Sequence, residues 1–283
     1  MFKSCLIGLL LAASLEATPI DSLQKTVEQL DAPFGYDLSV RVLKGKENDE
    51  DVMLLLHGMG SNNGIADILR TYTEIPDHLV SFNFPDASIR DGHYDPRRTT
   101  FGTLQEILPA LFMMKKLVVD GGVKKLNVYG FSAGGGALVN LVGILNINAY
   151  DNQLAAVGIT KEDKVKILDA LQNGVIILDA PLKSVREIIA ARGNDPSMVA
   201  LAQRYGVNQF EPIDALQNWK GLGMHVIVYF EVPDEVLSNR DDALFGQRLK
   251  TFNDKGTVQV LHGSHGGHVS YHAELWKAFT SSS

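Results

Sequence analysis

Cysteine is nearly missing from this chain of 283 residues, which holds one, Cys5. That residue stands ahead of the apolar core of the N-terminal stretch, out of place for a lipid-bearing cysteine. A chain cut after that stretch would contain no thiol, which excludes disulfides, cysteine nucleophiles and thiolate metal sites together. A thiol-free chain also suits an oxidising compartment. An excess of basic residues is lacking too. Lys and Arg total 26 against 33 Asp and Glu, a formal net charge of −7, so a general surface for nucleic acid or an anionic membrane is not expected. The local basic hint is "DPRR" at 95–98. No apolar run reaches the roughly 20 residues needed to span a bilayer. The N-terminal "SCLIGLLLAASL" is about a dozen residues long, with "MFK" before it and "EATP" after it, which reads as a signal peptide over residues 1–17. Cleavage near Ala17 would export residues 18–283 to the periplasm or the exterior, with no stable membrane insertion afterwards. The alternative is a buried N-terminal helix. Internal repeats, low-complexity tracts and interdomain linkers are likewise absent.

What the chain does have is a rhythm of apolar runs. After the amphipathic "IDSLQKTVEQL", the stretch "YDLSVRVL" alternates apolar and polar residues, as an exposed early strand does. Then follow "DVMLLLHGMG", "HLVSFNFPD", "KKLNVYGFS", "GVIILDAP", "MHVIVYFEVPD" and "TVQVLHGSHGGH". Continuous runs of this kind fit strands buried on both faces of a parallel sheet. Helical patterns separate them. In "TLQEILPALFMMKKLVV", Leu104, Ile107, Leu108, Leu111, Met114 and Val118 form one stripe, which Pro109 is expected to kink or split. "AGGGALVNLVGILN", "KEDKVKILDALQ" and "HAELWKAF" are further helices. The alternation predicts one α/β domain with a doubly wound, mostly parallel sheet. Residues 182–220 exceed one crossover helix and read as a small helical insertion over the strand ends. Ligands of such sheets bind at the carboxyl ends of the strands, and nearly every Gly, His and Asp able to do chemistry lies there.

The stretch "YGFSAGGGALV" (129–139) sets Ser132 between Gly130 and Gly134. A serine hydroxyl is a poor nucleophile unless a base stands beside it and nothing covers it. A sharp strand-to-helix turn exposes the side chain but crowds the backbone on both sides, which glycines two before and two after tolerate; this is the nucleophile elbow. Alone, G-x-S-x-G is a weak signal. An apolar strand before it and a small-residue helix after it strengthen the reading, and the lack of a following Gly-Lys-Ser/Thr removes a phosphate-cradling loop. The competing reading is a glycine-rich turn with a capping serine.

The partners lie elsewhere in the chain. "LLLHGMGS" supplies a His-Gly turn after an early strand, so the amides of Met59 and Ala133 are the expected oxyanion donors. His57 reads as a buttress of that turn rather than a base. Asp234, just past an apolar strand, is the expected acid that orients an imidazole; Asp179, Glu231, Glu235, Asp241 and Asp242 compete with it. "LHGSHGGHVSYH" crowds His262, His265, His268 and His272 together. His268, after two glycines and before the last helix, is the expected base, with His265 its competitor. A zinc site would need these histidines on one face, which their spread over a strand end, a turn and a helix start does not give; no metal is expected.

These residues resemble the α/β-hydrolase superfamily, esterase-like members included. The order Ser132, Asp234, His268 matches that family, and "GGHVSYHAELW" is similar to the closing segment of several such members. The resemblance runs from about residue 35 onward, with "EVPDEV" departing from the commoner Gly-x-x-Asp of the acid region. It implies an eight-stranded, mostly parallel sheet, a helical cap, no cofactor, and hydrolysis of a small-molecule ester through an acyl-enzyme. Peptidase, thioesterase or lipase chemistry uses the same machinery, and a silent hydrolase-like binding protein is the reading from another class. Activity should fall at acid pH, as a base with an imidazole's ordinary pKa of ~6.5 becomes charged. Arg90, Arg97 and Arg98 could meet an anionic substrate, or simply line a solvated loop.

Overall fold

Seven of the apolar or alternating runs form strands in the computed structural model, which describes residues 38–45, 51–73, 75, 77–84, 102–191, 210–264, 268 and 272–282. The expected leader, the amphipathic opening, Arg90, Arg97, Arg98 and His265 lie outside those residues. In chain order the strands are β1 (Arg41–Leu43), β2 (Val52–Leu56), β3 (His78–Ser81), β4 (Leu126–Phe131), β5 (Val175–Asp179), β6 (His225–Glu231) and β7 (Thr257–Gly263). They make one sheet in the order β1-β3-β2-β4-β5-β6-β7, with β1 antiparallel to β3 and every other pair parallel. The expectation is eight strands; among the described residues the sheet has seven. The sequence holds seven such runs, and the eighth strand rested on the resemblance rather than on residues of its own.

The helices are α1 (Ile65–Tyr72), α2 (Leu104–Lys115), α3 (Ala133–Leu145), α4 (Asp151–Ala156), α5 (Lys161–Asn173), α6 (Val185–Ala191), α7 (Pro212–Ala215), α8 (Asp242–Phe252) and α9 (Ala273–Ser282). Side chains alternate across a strand, and here the alternation sorts two apolar layers. Leu54, Val128, Ile176, Leu178, Val228 and Phe230 meet α2, α3, α5 and α8 on one face. Met53, Leu55, Tyr129, Ile177, Ile227 and Tyr229 meet α1 and α9 on the other. Asp179 and Glu231 end their strands on this second face, by the same two-residue period. Among the described residues no helix is long and apolar enough to cross a membrane.

Two local expectations change. α2 runs through Pro109 unbroken, with Ile107, Leu111 and Met114 fully buried, and the departure from α-geometry comes later, as a π-helical turn at Lys116–Asp120. Burial of the stripe outweighs the hydrogen bond that proline removes. β7, read as a two-sided buried run, lies at the sheet edge and is only partly covered along its length.

Candidate active site

β4 and α3 meet at Ser132, whose backbone takes φ 52° and ψ −116°. The turn is as tight as the glycines suggest. A Cβ on Gly134 would fall 2.2 Å from the Leu56 carbonyl oxygen, and one on Gly130 would fall 2.8 Å from that of Gly134. The elbow is held on both sides. The Ser132 amide donates to the Asp179 carbonyl at 2.9 Å, and the Ser132 carbonyl accepts from the Leu182 amide at 2.8 Å.

Ala133 opens α3, so its amide is one of those at a helix N-terminus that lack an intrahelical acceptor. Met59 packs in the same apolar cluster as Ala133, with Leu182, Val185, Ile188, Val236 and Leu237. The two expected oxyanion donors thus border one apolar wall. His57 has both nitrogens occupied: Nδ1 donates to the Gly58 carbonyl at 2.8 Å, and Nε2 accepts from the Phe84 amide at 3.2 Å. Burial drops its pKa to about 4 against the smaller opposing effect of the Gly58 bond. His57 therefore ties the turn after β2 to the segment after β3, and has no free nitrogen for base work.

Asp234 and His268 come together. His268 Nδ1 lies 3.0 Å from Asp234 Oδ2, and both side chains are buried. Asp234 Oδ1 accepts from the Val236 and Leu237 amides, each at 2.8 Å. Burial pushes this carboxyl up, but the His268 bond and the two amides outweigh it and hold the pKa below the ordinary range. The other nitrogen of the ring, His268 Nε2, is buried without a hydrogen-bond partner. Phe131, the neighbour of Ser132, packs on the His268 ring at 4.9 Å between centroids. Asp234 and His268 thus form a buried acid–imidazole pair, and its open nitrogen belongs to a ring packed on the residue beside Ser132.

The acid's loop is itself fixed. Asn239 accepts from the Asp234 amide and donates to the Glu231 carbonyl and to Asp242. Asp242 in turn pairs with the buried Lys183. Of the other competing acids, Glu235 is exposed.

Asp179 is engaged elsewhere. Its Oδ1 accepts from His272 Nδ1 at 2.7 Å and its Oδ2 from the Tyr129 hydroxyl at 2.7 Å. His272 Nε2 lies 3.2 Å from Glu231 Oε2, which accepts from the Tyr229 hydroxyl at 2.8 Å. A second acid–imidazole pair therefore sits beneath the first, on the α9 face of the sheet. Sequence reasoning counts Asp179 and Glu231 as rivals of Asp234, gives His272 no role of its own, and misses this grouping. A signal for it exists: Tyr129, Asp179, Tyr229 and Glu231 occupy inward positions near the carboxyl ends of largely apolar strands. His262 is exposed on β7.

No protein-family model and no curated protein matches the chain. Solved structures do. TT1662 from Thermus thermophilus is 16% identical with a TM-score of 0.59, over 87% of this chain and 93% of its own. A carboxylesterase from Bacillus cereus is 14% identical with a TM-score of 0.50, over 90% and 96%. Acyl-protein thioesterase 2 from Zea mays is 14% identical with a TM-score of 0.51, over 86% and 97%. At this identity the likeness is one of fold.

Proposed function

We infer that this chain, which has the α/β-hydrolase fold, is a serine hydrolase cleaving carboxylic esters through Ser132, His268 and Asp234. The observation that carries the reading is the buried Asp234–His268 hydrogen bond, whose imidazole keeps Nε2 without a partner and packs on Phe131, the residue before Ser132. His268 Nε2 takes the Ser132 proton as Oγ attacks the ester carbonyl, and Asp234 stabilises the imidazolium. The amides of Met59 and Ala133 hold the oxyanion. As the tetrahedral species collapses, His268 returns the proton to the leaving alcohol and an acyl-enzyme remains. Water then attacks that acyl group, with His268 again the base. The apolar wall of Leu182, Val185, Ile188 and Leu237 beside Ala133 accommodates the acyl chain. Export after cleavage near Ala17, with residues 18–283 as one domain, belongs to the same reading.

The test is a fluorophosphonate probe followed by p-nitrophenyl esters of increasing chain length. Wild type should take the label and turn over the esters, whereas Ser132→Ala and His268→Ala should lose about 10⁴-fold or more of kcat. A wild type that neither labels nor hydrolyses points to a hydrolase-like binding protein. The likeness to an acyl-protein thioesterase makes a thioester the second substrate to compare, at matched acyl chain.

A further inference from the structure

Five polar side chains meet under the elbow, in the layer between the sheet and α9. Tyr129 and Asp179 come from neighbouring strands, Tyr229 and Glu231 from β6, and His272 from the residue before α9. The ring of His272 stacks on Tyr229 at 4.0 Å between centroids and 24° between planes. Asp179, Glu231 and His272 are each at most 2% exposed. Burying two carboxylates and an imidazole is costly, and well-packed apolar residues of similar volume often serve stability as well or better. If docking α9 were the only task, a leucine core would do it.

The positions of the three ionisable residues in the chain suggest another task. The Asp179 carbonyl receives the Ser132 amide. Glu231 ends β6, three residues ahead of Asp234, and its carbonyl receives Asn239, which also holds the Asp234 amide. His272 follows His268 by four residues in the chain and immediately precedes α9. Each ionisable member is the root of one arm of the site.

We propose that Asp179, Glu231 and His272 form a buried clamp that positions the loops carrying Ser132, Asp234 and His268 for acyl transfer. Asp179 and Glu231 flank the two nitrogens of His272, so the imidazole fixes the ends of β5 and β6 relative to the loop that leads into α9. The three touch no substrate and act as positioning residues. The proposal rests on the hydrolase reading above. Its physical basis is that displacing reacting groups by about 1 Å costs on the order of 100-fold in rate.

The experiment compares wild type with His272→Leu, Glu231→Gln and Tyr229→Phe, each normalised to the serine titrated by fluorophosphonate, so that unfolded molecules do not count. We expect kcat per labelled serine to fall by about tenfold or more in His272→Leu and Glu231→Gln, with KM within about threefold. Should His272→Leu fail to fold, Glu231→Gln and Tyr229→Phe decide in its place. A smaller loss in every folded variant, or one carried by KM alone, overturns the clamp and leaves a cluster that merely docks α9. An inert wild type overturns the hydrolase reading itself, and the clamp with it; an active wild type beside unimpaired variants overturns the clamp alone.

Discussion

Ser132 is held at φ 52° although it has a Cβ, and such a backbone costs a non-glycine residue on the order of 1–3 kcal/mol. Ser132→Gly should therefore abolish labelling while raising stability by about 1 kcal/mol or more, read by urea unfolding. A destabilised variant would show that the turn is not strained. The serine is legible in the sequence because its neighbours are unusual: glycines at 130 and 134 suit a backbone crowded on both sides of one projecting side chain. The choice between Asp179 and Asp234 is not legible in the same way, since both follow apolar strands. What separates them is direction. Asp179 is the last residue of β5, so the pleat aims its side chain at the α9 face. Asp234 lies three residues past the end of β6, free of the pleat, and a loop pinned by Asn239 turns it toward His268. That turn depends on contacts far apart in the chain, which no local pattern records.

Strands whose runs are apolar throughout declare themselves as central, and β2, β4, β5 and β6 are buried as expected. β7 misleads because it pairs with one strand, β6, and pairing order does not follow from composition. An element-level consequence concerns Gly263, which pairs with Glu231 at the end of β7. A Cβ there would fall 2.1 Å from the Tyr229 hydroxyl oxygen. Gly263→Ala should push that hydroxyl off Glu231 and lower stability by about 1–3 kcal/mol. In the proposed scheme it should also lower kcat, in the direction expected of Glu231→Gln. A fully stable Gly263→Ala with wild-type turnover would mean that the phenol has room to move.

For the molecule as a whole, the buried cluster ties stability to pH in a definite direction. Burial pushes Asp179 up, only partly countered by His272 and Tyr129. Burial alone would lower His272, but its bond to Asp179 and the charges of Asp179, Glu231 and Glu274 lift it above its ordinary value. Both shifts make the folded chain hold protons more tightly than the unfolded one, so the cluster's contribution shrinks as pH rises. The part from His272 is fully present below its unfolded pKa of ~6.5 and is lost as pH climbs through the higher folded value. Urea unfolding of wild type and His272→Gln should show the larger gap at about pH 6 and a smaller one at about pH 9. A gap that does not vary with pH would place no titrating proton in the cluster.

The elbow at Ser132 is made early in the chain, and the ring that would activate it comes only with position 268, anchored through position 272. During synthesis, therefore, a nascent chain can expose its hydroxyl long before any base reaches it. Under the proposed hydrolase reading such a chain is chemically silent, and ester cleavage waits for position 268 rather than for the nucleophile.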